Sequence, residues 1–74
     1  MVIKMKIETI TINLMNHTMY HAKSSGIDKM ELEKKGFFSA AIGFIEEYCT
    51  KNGFDIINVH SPSSNSRTYE LIKR

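Results

Sequence analysis

Residues 38–60, FSAAIGFIEEYCTKNGFDIINVH, read in succession as an amphipathic helix, a stop and a strand, and the rest of the chain is arranged around them. Phe38, Ala41, Ile42, Ile45, Tyr48 and Cys49 recur at spacings of three and four, with Phe37 and Phe44 widening the stripe. Glu46, Glu47 and Lys51 take the opposite, wet side, and that periodicity predicts a helix from Phe38 to Lys51. Gly43 inside it suggests close approach to a neighbouring backbone. Asn52 and Gly53 are a stop, because glycine takes the left-handed conformation that ends a helix without steric cost. Phe54 to His60 is then a strand, Ser61 to Arg67 a polar turn holding the only proline, Pro62, and Thr68 to Lys73 a final strand that closes a hairpin.

Upstream, Val2 to Leu14 reads as a strand rich in β-branched residues. Its alternation changes phase: Ile3, Met5 and Ile7 share one face, whereas Ile10, Ile12 and Leu14 share the other. Either a bulge lies near Glu8 and Thr9, or both faces are partly covered. A hairpin turning at Asn16 leads into a second strand ending by Ala22, then a loop over Lys23 to Gly26. Asp28 followed by Glu31 fits a capping box, so a helix can begin at Lys29, although Met30 and Leu32 also fit a short strand. The element order is β-β-α-β-β: a single α+β domain over residues 1–74, with a four-stranded, antiparallel-rich sheet and one main helix on one face.

The C-terminal half carries a resemblance. Its helix ends in Asn52 and Gly53 and is followed by Phe54, Asp55, Ile56, Ile57, Asn58 and Val59, a polar turn, and Tyr69, Glu70, Leu71, Ile72, Lys73 and Arg74. This resembles a small family of bacterial and phage proteins with a β-α-β-β core, in which a Gly-aromatic-acidic start opens the strand after the helix and an aromatic-rich strand closes the fold. Phe54 stands where that family commonly has Trp, and the first half does not align. The resemblance implies a fold; the family has no settled activity, so no functional residue is carried over.

Composition narrows the function classes. The chain has 74 residues, 42% hydrophobic and 24% charged, with a net charge of +2. A domain this small buries only about 60% of the surface its unfolded chain exposes, so its core is marginal unless something enlarges it. Cys49 is the only cysteine, which rules out an internal disulfide. With His17, His21 and His60 it shows no paired-ligand spacing, so neither a metal site nor a cofactor is expected. Self-association remains as the way to extend the core. No apolar run approaches the roughly 20 residues of a membrane span, and no signal-peptide pattern is seen, so a cytoplasmic location is expected. Abundant Ile and Lys, no Trp, and Arg only at Arg67 and Arg74 point to an AT-rich genome, such as a low-GC bacterium or a phage.

Individual candidates for chemistry are weak. His17 and His21 form H-x-x-x-H, but on a turn and a strand they do not share a face as they would on a helix, and exposed histidines are expected. His60, beside Ser61, has no carboxylate or nucleophile tied to it by spacing. Cys49, in the last helical turn, sits at the negative end of the helix dipole, which raises a thiol pKa, so a buried inert thiol is expected. The serine-rich turn with Arg67 lacks the glycine pattern of a phosphate loop.

The stronger clue is an imbalance of faces. Phe54 and Ile56 point one way and Ile57 and Val59 the other; Tyr69 and Leu71 likewise oppose Ile72. One helix covers one face, so Ile57, Val59 and Ile72 form a candidate interface on the other. The leading expectation is a non-enzymatic protein-binding module that self-associates through its sheet, with a host-directed inhibitor or accessory protein as the subtype if the source is a phage. A first alternative is nucleic-acid binding through Lys4, Lys6, Lys73 and Arg74, joined by Lys23, with Tyr20 or Tyr69 for stacking. A second is a small-ligand binder or enzyme with its site at an oligomer interface.

Overall fold

The computed structural model describes residues 6–73. Within them one helix packs on a five-stranded antiparallel sheet. The chain runs β1 (Lys6–Asn13), β2 (Thr18–Lys23), β3 (Gly26–Glu31), α1 (Phe37–Asn52), β4 (Asp55–Ser63) and β5 (Ser66–Lys73). The sheet order is β3-β2-β1-β5-β4, so β1 and β5, drawn from opposite ends of the chain, form its centre, and β3 and β4 form its edges.

The extra strand corrects the expected order. Asp28 and Glu31 do not cap a helix; they lie in β3, which pairs with β2 from Gly26 opposite Lys23 to Glu31 opposite Thr18. The carboxylate of Asp28 instead meets Lys23 Nζ at 2.8 Å. Two residues, Ser24 and Ser25, separate the paired Lys23 and Gly26, which is the tight turn that antiparallel neighbours permit. A local capping signature yields to strand pairing, which rewards the same backbone groups along the whole segment.

The helix lies where its periodicity placed it, one residue longer at each end. It starts after Gly36, which has φ 74° and offers no side-chain cap, and it stops at Gly53, also at φ 74°, whose N–H donates to the carbonyl of Cys49. Ala41 and Ile45, four residues apart, are its fully buried positions. They meet Ile10 and Ile12 of β1, Met19 of β2, Tyr69 and Leu71 of β5, and Phe54 in a single core. Phe37, Phe38, Ile42, Phe44, Tyr48 and Cys49 pack around it. Gly43 has open space where a Cβ would lie, so it answers to no close backbone approach.

The strands resolve the question of phase. β1 pairs with β5 without interruption from Lys6 opposite Lys73 to Asn13 opposite Ser66, so no bulge lies at Glu8 and Thr9. Glu8, Ile10 and Ile12 face the helix and Ile7 lies exposed on the far side, while Ile3 and Met5 fall outside the described residues. The irregularities are in β4, with register shifts between Ile56 and Asn58 and between His60 and Ser63. The turn that follows is shorter than expected, because Ser63 already pairs with Ser66. Among the described residues no helix is long and apolar enough to cross a membrane.

Candidate functional site

Two features stand out from an ordinary small α+β core: a buried polar network beneath the helix C-terminus and an apolar edge strand.

The network begins with a carboxylate in the middle of the sheet. Glu8 shares the helix-facing side of β1 with Ile10 and Ile12, and the residue is only 4% exposed. On the neighbouring strand His21 sits opposite Ile10, diagonal to Glu8, and its Nε2–H donates to Glu8 Oε1 at 2.6 Å. From above, Tyr48 of the helix donates its hydroxyl to the same oxygen, also at 2.6 Å. Rings fix the geometry: His21 meets Tyr48 edge-on at 4.6 Å, and Tyr48 stacks between Phe44 and Phe54 at 6.0 and 5.5 Å. Among the described residues no buried side-chain polar atom lacks a partner, the condition under which polar burial is tolerable.

The electrostatics follow from this arrangement. Burial pushes the Glu8 carboxyl up, but hydrogen bonds from Tyr48 and His21, with electrostatic attraction to His21 and Lys23, together outweigh it and hold the group below its ordinary value. Tyr48 is pushed up to about 12, by burial first and then by donating to Glu8 and facing its charge. The Cys49 thiol is raised by burial and by Asp55 and Glu8, so it stays protonated and a poor nucleophile. At the outer end of the network, the hydrogen bond to Asp28 raises the Lys23 ammonium and lowers the Asp28 carboxyl.

His21 is therefore buried, against the expectation of an exposed pair in H-x-x-x-H. His17 occupies a left-handed turn position, φ 53°, with its ring 4.7 Å from Phe37. Among the described residues no three of His, Cys, Asp and Glu converge on a point that could hold a metal ion. His60 contacts Glu70 at 3.4 Å on the sheet margin. Two open hollows flank the network, one lined by Phe44, Glu47, Tyr48, Lys51 and Asn52 and the other by Ile7, Glu8, Thr9, Ala22, Lys23 and Ser24. Neither collects a nucleophile paired with a base. Glu8 and Tyr48 escaped the reading of the sequence, although a signal was there: Glu8 falls in phase with Ile10 and Ile12, and a carboxylate on a buried face demands donors.

The apolar edge differs from the expected interface. Ile72 does oppose Tyr69 and Leu71, but it is only 7% exposed and so presents little surface. Val59 is not on the face of Ile72. The register shift in β4 puts both Ile56, opposite Leu71, and Val59, opposite Tyr69, on the helix side, with Ile57 as the extra residue of the bulge. The far face carries Thr9, Thr11, Thr68 and Glu70 at its centre, with Thr11 and Thr68 hydroxyls 3.0 Å apart, so it is not an apolar plane. Exposed large apolar side chains lie instead mainly on the two edge strands: Ile27 and Met30 on β3, and a run of three on β4, where Ile56, Ile57 and Val59 are 43%, 49% and 46% exposed.

Of the expected nucleic-acid contacts, Lys6 and Lys73 are brought directly opposite each other, while Lys4 and Arg74 fall outside the described residues. Lys73 Nζ lies 5.9 Å from the Phe54 ring centre. Tyr69 is buried and cannot stack on a base; Tyr20, half-buried on the far face beside Lys29, keeps that option.

No family model matches the chain, and neither the curated proteins nor the solved structures give a match.

Proposed function

We propose that this chain is a non-enzymatic protein-binding module that self-associates through the edge of its sheet. The observation that carries this reading is β4, an edge strand of nine residues, every one of them exposed, that presents Ile56, Ile57 and Val59 beside backbone groups unpaired on its outer side. Such an edge is a template for another strand. The small core gives a second reason, since a partner would cover apolar side chains that one helix does not reach. Native mass spectrometry over a range of concentrations tests it: the expected result is a multiple of 8.5 kDa, and a bare monomer throughout would overturn the reading.

One observation favours a second reading. Lys6 and Lys73 face each other across the central strand pair, an arrangement of like charges that a bound anion would relieve. If these lysines contact a nucleic-acid backbone, binding of a single-stranded oligonucleotide should weaken steeply with added salt. A salt-independent interaction, or none, would leave the protein-binding reading alone.

A further inference from the structure

We infer that the partner at this edge is a second copy of the chain, joined β4 to β4 in one antiparallel register that sets Ile56 against Val59 and Asp55 against His60 across a two-fold axis. The inference rests on the self-association reading and adds the alignment of the two strands.

Register with β5 puts Asp55, Asn58 and His60 on the far face of the sheet, opposite Ile72, Glu70 and Thr68, and Ile56 and Val59 on the helix side. When a strand pairs with its own copy to continue one sheet, opposed residues must share a face, because a slip of one residue turns side chains to the wrong side. Opposing Ile56 to Val59 satisfies this, since Asp55 then meets His60 on the far face. The bulge pair Ile57 and Asn58 then meet each other. A shift by one residue in either direction opposes Ile56 to Asn58 or to His60, which lie on the other face. The bulge, which spoils most alignments of this edge, is matched by itself in this one.

Chemistry agrees with register. Symmetry doubles each contact, so four half-exposed aliphatic side chains, two Ile56 and two Val59, would cover one another beside the helix layer. On the far face each Asp55 carboxylate would meet a His60 imidazole, which now has only Glu70, at 3.4 Å, as a charged neighbour among the described residues. Pro62, with no N–H to donate, lies just past this segment and limits the ladder. The opposite edge, β3, also exposes Ile27 and Met30, but three of its six residues, Asp28, Lys29 and Glu31, are charged, with Asp28 paired to Lys23 of β2, charges of the kind that discourage pairing.

The test uses Ile56→Glu and Val59→Lys, each alone and mixed in equal amounts, with far-UV circular dichroism as the folding control and mass in solution as the readout. Each single variant should raise the dissociation constant at least about 30-fold, as expected for a charge placed in the centre of a small interface. The mixture should form a heterodimer, because the introduced carboxylate of one variant would face the introduced ammonium of the other on one side of the axis, while Val59 faces Ile56 on the other. If the unsubstituted chain assembles and both variants assemble as well, β4 is not the interface: the inference and the choice of this edge fall together, while self-association through another surface stands. If the single variants are folded monomers and their mixture stays monomeric, the register is wrong. If the unsubstituted chain is itself monomeric, the reading beneath the inference fails with it.

Discussion

Glu8 and Ile57 exchange the places that their side chains alone would assign them: the carboxylate is 4% exposed and the branched aliphatic 49%. The difference comes from strand order. Glu8 belongs to β1, which has a neighbour on each side and a helix above, whereas Ile57 belongs to β4, which has one neighbour and a bulge. A central strand commits every inward side chain, so a polar one must bring its own partners, here His21 and Tyr48. An edge strand leaves its side chains uncommitted, available to whatever pairs with it next.

Disrupting the buried region should have the largest effect. Glu8→Ala removes the acceptor that His21 and Tyr48 share and is expected to lower stability by about 3–5 kcal/mol in chemical denaturation. Replacing Glu8, His21 and Tyr48 together by Leu, Leu and Phe should recover most of that loss, since apolar groups of similar volume leave no orphaned donor. A triple variant as unstable as Glu8→Ala would show that the hydrogen bonds themselves, not merely the filled volume, hold the fold. Tyr48→Phe alone removes one hydrogen bond to a charged group and should cost about 1–3 kcal/mol.

The same region predicts a dependence on pH at both ends. Glu8 is held below its ordinary 4.5 in the fold, so its contribution is present above that value and is lost as pH falls through the lower folded value. Tyr48 rises from 10 to about 12, so its contribution is complete below pH 10 and is lost as pH climbs toward 12. Urea midpoints measured from about pH 2 to about pH 12 should show both losses, and Tyr48→Phe should remove the alkaline one. An unchanged alkaline limb in that variant would assign the loss to another group.

Smaller effects refine the contrast. Gly53→Ala forces a side chain into a left-handed turn at φ 74° and should cost about 1 kcal/mol, without reaching either region. Ile57→Ser should change the stability of the isolated chain by less than about 0.5 kcal/mol, because an exposed edge position is committed to nothing within one copy. A larger cost would mean that Ile57 already packs within its own chain.

Legibility in the sequence follows the same division between committed and uncommitted positions. The helix and its stop at Gly53 are readable because sixteen residues repeat one period and glycine marks the end. β3 is not, because Asp28 and Glu31 satisfy a helix-start pattern locally and the strand exists only through its pairing with β2. The bulge leaves no mark in DIINVH, and that one extra residue moves Val59 to the other face and undoes the expected grouping with Ile57 and Ile72. An apolar excess in β4 is visible; where it points is not.

The central pairing of β1 with β5 also bears on how the chain finds its fold. Lys6 and Lys73 are neighbours, so the middle of the sheet is closed by a contact between the two ends of the described chain. The pairings of β1 with β2, β2 with β3 and β4 with β5 can each form across a short turn, whereas the central seam must wait for nearly the whole chain to loop back, and contacts of that span slow folding. Linking residue 73 to residue 6 and opening the chain between Ser24 and Ser25 would make β5 and β1 a hairpin. The one slow closure would then move from the centre of the sheet to its β2–β3 margin.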